Sequence, residues 1–325
     1  MQTQNSPIKE IPMEMRGMNG WDSQYIGHIK DIINNGHVCP SRTGENVHKK
    51  LNIRLFWDLA DGFPLLTFRQ MPWKGIRVEL EGFLKGITDK KWYQDNGCSF
   101  WNEWGNQKYV KAKLEEWKRE HPSATPSEID DARKEMQLEE RDMYSGYGFD
   151  WRHYGAEYDG YDKDYTGQGV DQLARCIEII KRDPNDRRIL IVGYNPEYAN
   201  EYAMPACISF YQFSVLDGRL HLTYHQRSAD MVLGAPNDFA QAALFLSLAA
   251  QTTGLIPGTV TGNLVHCDIY ASSFDAIKNG IEMPSCKILP TLELEPGTDV
   301  FNFTWDNAKL KDYHNGPRII FDRSV

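Results

Sequence analysis

Two short stretches of this chain carry side chains able to do chemistry at the spacing of one site. Met204-Pro205-Ala206-Cys207 offers a thiol, and Gln226-Arg227-Ser228-Ala229-Asp230-Met231-Val232-Leu233-Gly234-Ala235-Pro236-Asn237-Asp238 offers a guanidinium, a hydroxyl and two carboxylates. A thiol attacks as its thiolate, and a free cysteine has a pKa of roughly 8.5, so a reactive Cys207 needs positive charge beside it. Arg227 is one source of that charge, and the consecutive Arg187 and Arg188 are others. Arg227-Ser228 could also hold a phosphate, because a forked guanidinium suits a dianion better than a point charge does. Asp238 could read the edge of a base. Upstream, Glu79 falls in an apolar helical stretch, where a buried acid needs a partner and hints at a site. Each residue also has a plainer reading: Cys207 as a small core residue, Arg187-Arg188 as a solvated basic step, and Trp101, Trp104, Trp151 and Tyr154 as core aromatics.

The 325 residues suffice for a sizeable core and read as one large α/β domain carrying an excursion. A net charge of −9 argues against a surface built to coat nucleic acid, while a local basic pocket for one nucleotide remains allowed. The six cysteines form no CxxC pair and no Cys/His cluster, so neither a disulfide framework nor a metal site is expected, and the thiols fit a reducing cytoplasm. No run has the length of a membrane span, and the N-terminus lacks the layout of a signal peptide. Residues 1–20 are polar and Pro-punctuated and read as a flexible tail, leaving 21–325 as a single catalytic domain.

Within that domain, helical spacing covers 21–35, 73–85 and 170–182, and a long apolar helix covers 238–253, ending at Gly254. A strand pair is expected within 47–57, a buried strand over 188–194, and a hairpin of 208–216 with 219–225 about Asp217-Gly218. Later strands are expected over 261–266 and 286–294. This order lacks the alternating βαβ rhythm of a doubly wound sheet, so the fold class is α/β of the α+β type. Residues 108–142 are rich in Lys, Glu and Arg and are broken by Pro122-Ser123-Ala124-Thr125-Pro126. They read as a solvated surface insertion of two charged helices, the second starting near Ser127-Glu128.

Further blocks stand in order along the chain: Ser41-Arg42-Thr43-Gly44, Phe63-Pro64-Leu65-Leu66-Thr67, Glu79-Leu80-Glu81-Gly82-Phe83-Leu84-Lys85-Gly86, Trp101-Asn102-Glu103-Trp104, and Tyr147-Gly148-Phe149-Asp150-Trp151-Arg152-His153-Tyr154-Gly155-Ala156-Glu157-Tyr158. Gly167-Gln168-Gly169-Val170-Asp171-Gln172-Leu173, Asp186-Arg187-Arg188 and the terminal Val325 complete the set. With the Cys207 and Arg227 stretches, these make the chain resemble thymidylate synthases over nearly its whole length outside the tail and the insertion. The resemblance implies a mixed β-sheet with surrounding helices, an obligate homodimer, and 5,10-methylenetetrahydrofolate as co-substrate without a metal. It implies Cys207 as the nucleophile at C6 of a pyrimidine nucleoside monophosphate, Glu79 as organiser of water and proton transfer, and Tyr147 in removal of the C5 proton. Arg42, Arg227 and Ser228 match phosphate ligands, and Arg187 and Arg188 match a pair reaching the neighbouring subunit's phosphate. Asp268 and Tyr270 stand where the sugar hydroxyl is held. Trp101, Trp104, Asp230, Gly234, Asn237 and Val325 stand on the folate side.

Four positions leave the family pattern. Asp238 stands in place of an asparagine, whose amide accepts from N3–H of uracil and donates to its O4. A carboxylate only accepts, whereas cytosine offers an N4 amine and an N3 that gains a proton as the thiolate adds. Asp238 therefore joins the catalytic set and implies a deoxycytidylate hydroxymethylase, making 5-hydroxymethyl-dCMP for a modified viral genome or similar use. Asn237 replaces a phenylalanine, which makes the folate side more polar and favours water as the final nucleophile. Ile208 and Asp268 replace histidines, and the change at Asp268, beside the sugar, leaves cytidylate open as a substrate. The alternatives are a thymidylate synthase or dCMP C5-methyltransferase releasing dihydrofolate, and, from another class, a silent relative binding nucleotide, RNA or a partner through 108–142. Retention of Cys207, Glu79, Tyr147 and the arginines speaks against the last.

Overall fold

Periodic apolar runs sort the chain into elements much as their spacing requires. The computed structural model describes residues 10–42 and 44–321. In chain order the helices are α1 (Gly20–Asn35), α2 (Trp73–Lys85), α3 (Lys90–Asp95), α4 (Gln107–Glu120), α5 (Pro126–Glu139), α6 (Tyr147–His153), α7 (Gln172–Arg182), α8 (Gly234–Thr253) and α9 (Ala271–Gly280). The strands are β1 (His37–Pro40), β2 (Asn46–Asp58), β3 (Leu190–Val192), β4 (Ile208–Leu216), β5 (Arg219–Asp230), β6 (Ile256–Tyr270), β7 (Thr291–Leu294) and β8 (Ala308–Lys311). Six of them form one sheet in the order β1-β2-β6-β5-β4-β3, with only β5 and β6 parallel, and β7 pairs with β8 separately. This is the mixed sheet with surrounding helices that the sequence implied.

The hairpin about Asp217-Gly218 forms as expected. Both residues have positive φ (50° and 73°), the left-handed pair that matches strand twist in a two-residue turn, and Leu216 pairs with Arg219. The expected strand pair within 47–57 is instead a single strand, β2, that absorbs Asn52 in a left-handed conformation (φ 61°) and continues along β6. Of the strand expected over 286–294, only β7 is regular, and Cys286 makes an isolated bridge to Arg16. That bridge and the bond from Gly17 N–H to the Ser285 carbonyl tie down residues 10–19, which the sequence grouped with a flexible tail. Ile11 is buried in the same region, so apolar contact and backbone pairing hold this segment to the body. Residues 1–9 lie outside the described residues.

Two helices carry the site. The apolar run 234–253 forms α8, four residues earlier than expected, and Gly254 caps it in the left-handed conformation. From Ala235 to Ala250 every residue of α8 is buried except Asn237 and Asp238. A helix apolar on all sides belongs inside, so its two less covered polar residues mark a cavity. α2 packs against both α8 and α6. The α2–α6 approach is close because of glycines: a Cβ on Gly148 would lie 3.1 Å from the Gly82 carbonyl oxygen and from the Phe83 Cα. This sets Glu79 on α2 near Tyr147 on α6.

The charged stretch 108–142 forms α4 and α5, with a capping box between Thr125 and Glu128 and Pro126 in the first turn of α5. The sequence treats it as a solvated insertion, but its end is anchored in the body. Lys90 is buried, and its Nζ donates to the carbonyls of Gln137 (2.7 Å), Leu138 (3.0 Å), Trp104 (3.0 Å) and Asn102 (3.3 Å). One ammonium thus satisfies the exposed carbonyl end of α5 and the loop carrying Trp101 and Trp104 together. Replacing it with Lys90→Met strips these carbonyls of their donor, and we expect a loss of about 3 kcal/mol of stability, read as the urea unfolding midpoint. A loss below about 1 kcal/mol would show that water satisfies them equally well.

Candidate active site

The start of β4, the ends of β5 and β6, the first turns of α8 and the middle of α2 surround a cavity of about 1840 Å³. Pockets for one small ligand run to about 300–1,000 Å³, so this cavity has room for two. Cys207, Glu79, Tyr147, Asp238, Arg42, Arg227, Ser228, Asp268, Tyr270, Trp101, Trp104, Asp230, Gly234 and Asn237 all line it. Arg187 and Arg188 do not. They are exposed on the connection between α7 and β3, where Arg188 makes a two-pronged pair with Asp186. Val325 lies outside the described residues, while Arg318, Ile319, Ile320 and Phe321 reach the cavity wall.

Cys207 sits one residue before β4. Its backbone N–H donates to the Tyr147 hydroxyl at 2.6 Å, and Ile208 N–H donates to the same oxygen at 3.1 Å. Arg227 lies on the neighbouring strand and grips the approach to the thiol: Nε donates to the Ala206 carbonyl (3.0 Å) and Nη2 to the Pro205 carbonyl (2.7 Å). The expected positive charge is therefore present from Arg227 and absent from Arg187 and Arg188. It does not win. Burial pushes the Cys207 thiol up to about 11, with Asp238 adding to the rise and Arg227 and Tyr147 opposing it. Tyr147 is buried and stacked on Phe83 at 4.7 Å, and burial holds its phenol well above its ordinary value, so it remains protonated.

Glu79 is clamped at both oxygens. Trp101 Nε1 donates to Oε1 at 2.9 Å, and Gln241 Nε2 donates to Oε2 at 2.8 Å. A fixed carboxylate between an indole and an amide suits the steering of water or a proton rather than a mobile role. Asp238, on the first turns of α8, accepts from Gln226 Nε2 at 2.8 Å through Oδ2. Burial pushes it up to about 7, and Asp230 adds to the rise while Gln226 opposes it. Asp230 itself accepts from the amides of Val232 (2.8 Å) and Leu233 (3.1 Å), turning the chain into α8. A side chain on Gly234 would meet Asp238 Oδ2 at 3.5 Å, so the small residue keeps the carboxyl approachable.

At the far end, Arg42 is exposed at the rim beside Arg227, Ser228 and Tyr270, a polar and cationic lining suited to an anion. Asn237 Oδ1, Gln226 Oε1 and Asp268 Oδ1 are buried without a hydrogen-bond partner among the described residues. Unsatisfied acceptors on a cavity wall call for donors from whatever fills it. The sequence reading missed Gln226, Gln241, Lys49, His266 and Arg69. Gln241 carries a signal, because it falls three and four residues after Asp238 and Asn237 on one face of an otherwise apolar helix. Gln226 is likewise a polar residue between alternating strand positions. Lys49, His266 and Arg69 carry none beyond their charge or polarity. Among the described residues no group of three or more His, Cys, Asp and Glu side chains could hold a metal ion, and no helix is long and apolar enough to cross a membrane.

The family model described as thymidylate synthase matches residues 23–325 of this chain. Thymidylate synthase of Homo sapiens is 33% identical over 322 residues, covering 98% of this chain and 95% of that protein. The thymidylate synthase of Ascaris suum is 33% identical over 304 residues, covering 93% of this chain and 96% of its own length. That of Human herpesvirus 8 type P (isolate GK18) is 33% identical over 303 residues, covering 93% of this chain and 84% of its own length. The chain spans about half the length of the bifunctional dihydrofolate reductase-thymidylate synthases that it matches in Arabidopsis thaliana and Zea mays.

The half-buried thiol makes a direct prediction. Because its proton affinity is raised, thiolate accumulates only as pH climbs toward 11. Alkylation of Cys207 by iodoacetamide should therefore rise roughly tenfold per pH unit from pH 7 to 10 without levelling, followed by peptide mass spectrometry. A plateau below pH 9 would mean that Arg227 controls the thiol instead of burial.

Proposed function

The chain belongs to the thymidylate synthase family, and from that membership we propose that it transfers a one-carbon unit to C5 of a cytosine nucleotide. In this reading dCMP, 5,10-methylenetetrahydrofolate and water give 5-hydroxymethyl-dCMP and tetrahydrofolate, through a Cys207 adduct at C6 and in a homodimer. The observation that carries it is the Asp238 carboxyl, held by Gln226 on the wall shared with Cys207.

The Cys207 thiol gives up its proton to water in the cavity, and bonding of its sulfur to C6 drives the C5=C6 electrons toward N3, which takes up the Asp238 proton, and leaves C5 nucleophilic. A carboxyl pushed up to about 7 is matched to that proton. Its hydroxyl donates to N3, its other oxygen accepts from the N4 amine, and the proton crosses as the sulfur bonds. Uracil offers no such partner, because O4 is a far weaker base than a ring nitrogen and an ionised Asp238 would face it lone pair to lone pair. Tyr147, protonated and anchored by two amides, has its own O–H left to donate to a water that takes the C5 proton, and Glu79 is placed to order that water. Arg227, Ser228 and Arg42 would hold the phosphate. Arg187 and Arg188 stand exposed outside the cavity, where a second copy would meet them, Arg188 by exchanging its pair with Asp186.

The remaining cavity fits a second, flat ligand: Trp101 and Trp104 supply aromatic walls, and the unpartnered Asn237 Oδ1 requires a donor. Methylenetetrahydrofolate supplies carbon at the oxidation level of formaldehyde. Asn237 supports hydroxymethylation over methylation, since an amide in a wall can hold water where an aromatic ring would exclude it.

A second reading is thymidylate synthesis, the activity in the names of the relatives. Near neutral pH part of Asp238 is protonated, and a neutral carboxyl, like an amide, presents one donor and one acceptor to uracil. Release of tritium from C5 of labelled dCMP and dUMP separates the readings, and growth of dihydrofolate absorbance identifies a methyl product. We expect release from dCMP without dihydrofolate. Asp238→Asn should lower turnover of dCMP by about 100-fold or more and raise that of dUMP. Release from dUMP alone in the unaltered protein would establish the second reading.

A further inference from the structure

The wall between the base-reading carboxyl and the phosphate end carries a charge arrangement that the proposed chemistry leaves unused. Three adjacent strands present Lys49 on β2, Asp268 on β6 and Asp230 on β5 at one level, for Lys49 pairs with Asp268 and Asp268 with Asp230 in the sheet register. All three line the cavity. Lys49 Nζ stands 3.6 Å from Asp268 Oδ2. The other carboxylate oxygen, Oδ1, is buried without a partner among the described residues, in a residue only 8% exposed. An ionised acceptor left bare beside a second carboxylate is costly unless a cation offsets the charge and a ligand brings a donor.

We propose that Lys49 is a positioning residue for the sugar: it holds Asp268 as an ionised acceptor, so that Asp268 Oδ1 takes a hydrogen bond from the free hydroxyl of the pentose. The inference rests on the reading of the cavity as a nucleotide site. With the base at Asp238 and Cys207 and the phosphate at Arg227, Ser228 and Arg42, the pentose lies between them, and in a deoxynucleotide its one free hydroxyl is the only neutral donor outside the base. Burial pushes Asp268 toward protonation, Lys49 and then His266 oppose this, and Asp268 in turn pushes Asp230 up. Without Lys49 the two carboxylates and the substrate phosphate face one another with little compensation. Asp268 then gains a proton, and its charged acceptor is lost. Hydrogen bonds to charged groups are the stronger class, so this contact separates a nucleotide bearing the hydroxyl from one lacking it.

The test is a grid of dissociation constants by calorimetry for dCMP, dUMP and their 3′-deoxy counterparts, ddCMP and ddUMP. It compares the full-length protein with Lys49→Met, Lys49→Arg and Asp268→Asn. In the unaltered protein the hydroxyl should tighten binding by about 10- to 100-fold on whichever base is preferred. Lys49→Met should shrink that ratio to below about threefold, Lys49→Arg should restore it, and Asp268→Asn should flatten it as Lys49→Met does. If Lys49→Met weakens all four ligands equally and leaves the ratio intact, Lys49 acts as a general charge for the phosphate and the proposal falls. A ratio near one in the unaltered protein overturns it as well, without any variant. The base reading fails separately, since a preference for dUMP over dCMP leaves the hydroxyl ratio untouched.

Discussion

Setting a titratable carboxyl on an otherwise apolar, buried helix is the constraint from which the site follows. Asp238 is the fifth residue of α8, where the Gln226 amide favours its charged form, yet it also sits in a cavity wall that disfavours ions. Burial wins, and the group rests up near 7, where it can hold or release a proton at little cost. The Gln226 amide fixes one oxygen, which keeps a second lone pair for a ligand, and leaves the other open. A full charge here would require a counter-cation, and an apolar residue would read nothing. The intermediate protonation makes the position useful.

The sheet topology delivers the remaining groups to the same place. β4 and β5 are joined by a two-residue turn, so Ile208 pairs with Gln226, and Cys207 and Arg227 are tied by a backbone bond from Arg227 N–H to the Cys207 carbonyl. β6 then runs parallel to β5, laying His266 beside Ser228 and Asp268 beside Asp230. Nucleophile, phosphate ligands and the charged row thus come from neighbouring strand ends, with registers set by backbone hydrogen bonds. Glu79 and Tyr147 arrive from elsewhere, on α2 and α6, and the bare glycine surfaces between these helices let them come close.

Much of this was legible in the chain because it is local. The Asp217-Gly218 turn, the apolar run of α8 and the α2 span from Trp73 to Lys85 each follow from short-range pattern. Cys207, Arg227 and Asp238 were visible as types in a suggestive order, and the cavity gathers them. The illegible part is long-range. Gln241 meets Glu79 across 162 positions, and Lys49 faces Asp268 across β2 and β6, pairings that no periodicity encodes. The charged stretch 108–142 reads as solvated by composition, yet Lys90, a residue outside it, anchors its end. The thiol's resting state is hidden for a similar reason: charge is written in the sequence, whereas the burial that outweighs it is a property of the fold.

A thiol held up near 11 and a carboxyl near 7 have the wrong order for a nucleophile waiting as thiolate, and on the proposed reading this order has a use. A resting thiolate in a cavity open to solvent would be exposed to oxidation and alkylation between turnovers. A resting thiol is protected, and ligand binding alters the terms that keep it neutral. A bound cytosine ring keeps the Asp238 proton in the hydrogen bond between them, so the ionised form of Asp238 that raises the thiol is no longer populated. Arg227, already bonded to the residues preceding Cys207, then acts on a sulfur with one opposing charge fewer. Recognition of the base and activation of the nucleophile become one electrostatic event, so a ring that cannot take the proton is bound beside a sulfur that stays a thiol.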